Sequence, residues 1–228
     1  MPGRYLTLSW DDGFRRSCEV IAALYERFGF RAEFNLVATR ALSGGPSAVH
    51  ADFGFWNELQ ARGHSIQPHG FDHSNKSILT FEEGKDRILR CLDVFSRSLA
   101  GFSPERAIFA FPYNTATPAL EAWLAGVVRA YRLSAGGPAV MPLPTPATRR
   151  IHTVGIEAAA QGLENALGEL KASANGWLVY TAHGLDGEGW GPMRREFLEE
   201  FLERMAKGED GVRLISARDL LDQTPGAS

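Results

Sequence analysis

The sequence predicts an α/β fold in which parallel strands alternate with helices packed outside them. Three observations carry this. Short β-rich apolar runs and segments with apolar residues at helical spacing follow one another along nearly all of the 228 residues. About seven of the runs read as strands, and no composition shift or repeat marks a second domain. The polar residues able to do chemistry recur where strands end: Asp11-Asp12, His69, Tyr113 and His183. In parallel α/β folds, open sheet or barrel, the site lies on that face.

The first strand is Tyr5-Leu6-Thr7-Leu8, closed by Ser9-Trp10-Asp11-Asp12-Gly13. Residues 16–28 carry Val20, Ile21, Leu24, Tyr25 and Phe28 at helical spacing, ended by Gly29. Residues 31–37 follow as a strand, and Ser43-Gly44-Gly45-Pro46 as a loop. Residues 53–62 read as a short helix, and 64–67 as a strand leading to Pro68-His69-Gly70. The clearest helix is 80–99, with a capping box in Thr80 and Glu83 and an apolar stripe of Ile88, Leu92, Phe95 and Leu99. Strand 106–111 exits at Pro112-Tyr113-Asn114-Thr115, and helix 118–128 carries proline in its first turn. Tyr131-Arg132-Leu133-Ser134 is a strand; 136–148, with its glycines and prolines, is a long loop and a candidate lid or groove wall. A weak strand at 150–155, a helix at 163–172, a buried strand at 177–181, a helix at 194–205 and a strand at 212–215 complete the pattern, which 218–221 closes.

Composition narrows the function. A formal charge of −3 gives no reason to expect nucleic acid or an anionic membrane as partner. No apolar stretch approaches the ~20 residues of a membrane span. Cys18 and Cys91 lie in apolar helical stretches and read as core residues, not as a disulfide or a metal knuckle. No charged start and apolar run precedes the first strand, so the expected location is cytoplasmic.

Asp11 and Asp12 sit at a strand end where Gly13 permits a turn into one pocket. Asp-Gly is also a common turn pair, but two adjacent carboxylates persist best beside a cation or a histidine. His69-Gly70-Phe71-Asp72-His73 places two imidazoles four residues apart. With one aspartate from another strand end they form an N₂O set suited to a divalent transition ion. Zinc is the default, with cobalt, nickel and manganese as alternatives. The other aspartate is then free to act as a general base. His183, alone at its strand end, is the candidate general acid. His50, His64 and His152 have no such context and read as structural or surface residues.

Thr7-Leu8-Ser9-Trp10-Asp11-Asp12-Gly13 resembles the Thr-Phe-Asp-Asp-Gly signature of the polysaccharide deacetylases, the NodB-type carbohydrate esterase family 4. Residues 63–74, which include His69 and His73, resemble that family's histidine segment. Phe109-Ala110-Phe111-Pro112-Tyr113 is similar to its Phe-Arg-x-Pro-Tyr motif, and Leu178-Val179-Tyr180-Thr181-Ala182-His183 to its closing strand and histidine. The resemblance implies one catalytic domain over 1–228, folded as a distorted (β/α) barrel of about seven parallel strands. It also implies metal-dependent removal of acetyl groups from N-acetylated sugars. By that likeness Asp11 is the general base, and Asp12, His69 and His73 are the metal ligands. Pro112 and Tyr113 line the oxyanion position, with the Tyr113 N–H as donor, and His183 is the general acid.

The departures are specific. The family's base-orienting arginine is Ala110 here, with Arg149 or Arg150 as the candidate replacement. The family's Asp-and-Trp motif has no clear match between 131 and 155, so Asp186, Glu188 and Trp190 are candidates for orienting His183 and stacking on a sugar. Glu33 and Asn35 stand where the family usually has small or apolar residues. The expected substrate is a small saccharide or carrier-linked sugar. Hydrolysis of another C–N amide, a cyclic imide or ureide, and non-catalytic sugar binding are the alternatives.

Overall fold

The computed structural model describes residues 3–39, 52–134, 136–155 and 159–224. In chain order its elements are β1 (Arg4–Trp10), α1 (Arg15–Arg27), β2 (Glu33–Leu36), α2 (Phe53–Ala61), β3 (Ser65–Pro68), α3 (Phe81–Ser98), β4 (Ile108–Ala110), α4 (Pro118–Leu124) and β5 (Ala130–Leu133). There follow β6 (Val140–Met141), β7 (Arg150–His152), α5 (Ala159–Ala172), β8 (Gly176–Ala182), α6 (Arg195–Lys207), β9 (Arg213–Leu214) and α7 (Ala217–Asp222). The alternation read from the sequence runs from β1 to β5 and again from β7 to α7; between β5 and β7 the described residues hold no helix. The difference is β6, inside the predicted loop. Val140 and Met141 pair antiparallel with Leu178 and Trp177 at the start of β8, the end opposite His183. That position argues against a lid over the site.

Two sheets form the wall. One has the order β3-β2-β1-β8-β6, with β9 also paired to β1; the other has the order β4-β5-β7. All pairings except β6 with β8 are parallel. The longest register, from Arg4 opposite Gly176 to Trp10 opposite Ala182, runs through the middle of the larger sheet. The sheets meet on one side at Val154, whose N–H bonds Val179 O at 3.1 Å and whose carbonyl accepts from Thr181 N at 2.8 Å.

On the other side, β3 faces β4 without a ladder. Ser65 N and His69 N donate to β2 and its lead-in, at Ala32 O and Leu36 O. The intervening Ile66 and Pro68 therefore face β4, and Pro68 has no N–H to give. Side chains cross this seam instead. Gln67 Oε1 accepts from Ile108 N at 2.8 Å, and His69 Nδ1 lies 3.0 Å from Ala110 O. The result is a barrel distorted at one seam.

Helices cover the outside with apolar stripes. In α1 Cys18, Ile21, Leu24 and Tyr25 are buried; in α3 Ile88, Cys91, Leu92 and Phe95 are. The Thr80–Glu83 capping box is formed in both directions and is worth about 1 kcal/mol. Both cysteines are buried and free. No helix among the described residues is long and apolar enough to cross a membrane.

Candidate active site

Asp11 follows the last residue of β1, and its N–H bonds Ala182 O at 2.8 Å. That register places Asp11 and His183 at the ends of adjacent strands. Asp12 turns sharply, with φ 72°, into Gly13 at φ 78°. The left-handed backbone at Gly13 favours glycine, and a Cβ there would press on Leu36 Cδ2 at 2.9 Å. Of five non-glycine residues with positive φ among the described residues, four are Asp12, His73, Tyr113 and Asn114. Such strain gathers where the surrounding structure fixes functional groups.

The predicted metal set is brought together. One donor atom from each of Asp12, His69 and His73 falls within 4.8 Å of the others. Asp12 Oδ1 is 3.4 Å from His69 Nε2 and 3.2 Å from His73 Nε2, yet it is buried with no hydrogen-bond partner. His69 Nδ1 faces the Ala110 carbonyl, so it carries the proton and Nε2 keeps its lone pair. Three acceptors aimed at one point fit a divalent cation. Burial raises the Asp12 carboxyl, but His69 and His73 in their protonated form outweigh it and hold it well below the usual carboxylate range.

The loop after β3 that carries these histidines is anchored on several sides. Gly70 has φ 87°, and a Cβ there would lie 2.8 Å from Pro112 Cγ, so the histidine loop and the Pro112 turn touch. Asp72 is ion-paired with Arg87 of α3. Lys76 is fully buried and donates to Ser74 O at 2.9 Å and Ser74 Oγ at 2.6 Å; burial lowers its ammonium to about 8. Tyr113, 60% exposed, packs its ring against His73 at a tilt of 41°, with centroids 4.8 Å apart.

Asp11 has different company. Its Oδ1 accepts from Asn35 Nδ2 at 2.8 Å and its Oδ2 from Arg132 Nη2 at 2.6 Å. Asn35 also donates to Ser9 Oγ at 2.8 Å, and Ser9 donates to Glu33 Oε1 at 3.2 Å. Glu33 Oε2 accepts from Ala217 N at 2.8 Å. Burial pushes the Glu33 carboxyl up to about 7 despite these donors and the nearby Arg132 charge. Glu33 and Asn35 thus form a polar chain leading to Asp11.

Arg132 is the cation that the sequence reading misplaced. Arg149 and Arg150 are exposed at the start of β7, the wrong end of a parallel strand; Arg150 pairs with Glu121, and Arg149 donates to backbone carbonyls. The available signal was a charged residue inside an apolar strand. Asp186 and Glu188 do not orient His183 either. Glu188 accepts from Ser17 N and Oγ at the start of α1, and Asp186 accepts from Arg195 N at the start of α6. His183 itself is kept below its ordinary pKa by burial, partly offset by Asp11 and Asp12. Trp190 stands 62% exposed. His64 binds Ala32 N and faces Glu26, and His152 packs under Gly137, so both lie apart from the cluster. His50 and the loop at 43–46 lie outside the described residues.

A search of curated proteins gives no match. Among solved structures, a putative polysaccharide deacetylase from Mycobacterium smegmatis is similar at 12% identity and TM-score 0.74, covering 98% of this chain and 90% of that one. The Bc1960 peptidoglycan N-acetylglucosamine deacetylase is similar at 15% identity and TM-score 0.67, covering 97% and 90%. A family 4 acetyl xylan esterase from Clostridium thermocellum, in complex with a cobalt ion, is similar at 16% identity and TM-score 0.62, covering 97% and 93%. These likenesses establish the shared fold. A family model described as polysaccharide deacetylase matches residues 1–125. The matched stretch includes Asp11, Asp12, His69, His73, Pro112 and Tyr113, and with it the chain belongs to the polysaccharide deacetylase family.

Proposed function

We propose that this protein is a metal-dependent hydrolase that removes N-acetyl groups from an amino-sugar-containing saccharide or glycan precursor. The observation that carries the reading is the convergence of Asp12, His69 and His73 beside a second carboxylate whose oxygens are held elsewhere. The family and the N-acetylglucosamine deacetylase among its structural neighbours support the substrate class. The substrate is a small or carrier-linked saccharide.

Asp12, His69 and His73 would hold a divalent transition ion, zinc by default. The chemistry such an ion supplies when bound is that of a Lewis acid, lowering the pKa of water and polarising a carbonyl. Asp11 takes the proton of the attacking water at Oδ2, the oxygen turned toward His69. The water oxygen bonds to the acetamide carbon as the C=O electron pair moves onto oxygen; the C=O bond then re-forms as the C–N bond breaks. His183 in its protonated, imidazolium form gives its proton to the departing amine, and acetate is the second product. The backbone N–H of Tyr113, beside Pro112, donates to the carbonyl oxygen as it gains charge. Trp190 offers its exposed indole to a sugar ring.

The test combines metal content with acetate release from N-acetylglucosamine oligomers. About one transition ion per chain and acetate formation are expected. No acetate from any N-acetyl sugar after loading with zinc, cobalt, nickel or manganese overturns the reading.

A further inference from the structure

Lys76 is fully buried, and among the described residues no carboxylate pairs with it. An ammonium in such a place is disfavoured, and it takes no part in the proton transfers given above. Its contacts show what it holds. Both of its hydrogen bonds go to Ser74, the residue after His73: Nζ donates to the carbonyl at 2.9 Å and to Oγ at 2.6 Å. On the other side, a Cβ at Gly70, the residue after His69, would lie 4.0 Å from Nζ. The ammonium therefore sits under the loop, between the neighbours of the two histidines.

This loop needs a hold on its far side. His73 has φ 54°, a left-handed backbone that is strained for a residue with a side chain. The near side is fixed at the main chain. Ala38 N donates to Gly70 O at 2.9 Å, Thr39 N donates to Phe71 O at 3.0 Å, and the Cys91 sulfur accepts from the Gly70 N–H. Beyond Phe71 the ties come from side chains: Asp72 is paired with Arg87, and Ser74 is held by Lys76. The main chain of Lys76 is itself bridged to Ala116, two residues past Asn114, so it is braced against the segment that leaves the Tyr113 turn.

We propose that Lys76 is a positioning residue: its ammonium clamps Ser74 from beneath and so holds His73 in the conformation that meets Asp12. The inference rests on the metal site proposed above. A lysine suits the task because an ammonium carries several donors on a long stem and can take two acceptors of one residue at once. The clamp and the bare charge predict opposite signs. A positive charge under the site repels a divalent cation, so charge alone predicts tighter binding once it is removed. Loss of the clamp predicts weaker binding, because the ion must then order a ligand that is no longer held.

The test compares the parent with Lys76→Met, which fills the volume without donors, in two measurements. The first is amide hydrogen exchange of the metal-free proteins. Ala38 and Thr39 donate to the loop, and Ser74 N donates to Asp72 Oδ1 within it. Exchange at these three amides is expected to rise at least about tenfold, while the amides of β1 and β8 stay within about threefold. The second is zinc titration of the metal-stripped proteins, in which Lys76→Met is expected to bind about tenfold more weakly. Unchanged exchange at the three amides, or a rise spread evenly over the chain as a general loss of stability gives, overturns the proposal. So does a zinc affinity in the variant that equals or exceeds the parent's. Ser74→Ala keeps the charge and removes one acceptor. It is expected to weaken zinc binding about threefold and to speed exchange at the same amides; parent-like behaviour overturns the proposal, and this variant decides alone if Lys76→Met does not fold. A parent that takes up no zinc overturns the metal-site reading instead, and the exchange comparison then decides the clamp.

Discussion

His69 Nδ1 lies 3.0 Å from the carbonyl oxygen of Ala110, and this contact sets which nitrogen of the ring is left for a cation. His69→Ala/His73→Ala is expected to lose the ion, taking the content from about one per chain to below about a tenth, with acetate release falling at least ~100-fold. Elemental analysis of protein purified without added metal checks the first number. A double variant that keeps its ion would remove these histidines from the ligand set.

Asp11→Asn separates binding from turnover. The amide keeps the size of the carboxylate but loses its basicity. Metal content is expected to stay at the parent level while kcat drops by about 10²–10⁴. Near-parent acetate release by the metal-loaded variant would show that Asp11 is not the base. Asn35→Ala removes one of the two donors to Asp11 and is expected to cost about tenfold in kcat.

Glu33 makes stability depend on pH in a definite direction. Its folded carboxyl sits at about 7 against an ordinary value of 4.5, so the fold prefers the protonated form. That contribution is fully present below pH 4.5 and is lost as pH rises through 7, a change of roughly 3 kcal/mol. Glu33→Gln lacks this titration. The parent's unfolding free energy, measured relative to that of Glu33→Gln, should therefore fall between pH 5 and pH 8. Parallel pH profiles for the two proteins would place the folded carboxyl near its ordinary value.

Trp190 touches solvent more than the core. Trp190→Ala should leave the thermal midpoint within about 1 °C of the parent. KM for an N-acetyl oligosaccharide should rise about tenfold, with kcat within about threefold, because a stacked ring contributes about 1 kcal/mol or more. Unchanged KM for substrates of every length would take Trp190 out of the saccharide site.

The strand-end residues were legible because a parallel fold sends every strand's exit to one face. Asp11, Asp12, His69, His73, Tyr113 and His183 could thus be grouped without knowing strand order. Arg132 could not, since its value comes from lying opposite Ala110, and register between strands is not written in either strand. Proximity in sequence to the next strand favoured Arg149 and Arg150, but a parallel strand begins at the far end of the barrel. Glu188 misled in a similar way: five residues after His183, it turns back to the start of α1. Burial of Lys76 also escaped notice, because a lysine in a polar loop reads as exposed until the helices that cover it are known.

The seam between β3 and β4 gives His69 a mechanical duty beside its chemical one. Because its ring reaches the Ala110 main chain, the joint does not depend on the side chain at 110. The same logic runs in the other direction through evolution. A descendant that abandoned the ion would still need a ring N–H to rivet this joint, so a histidine retained at 69 is weak testimony that such a descendant still catalyses anything. Loss of His73, which bridges no strands, is the more telling mark of a retired enzyme.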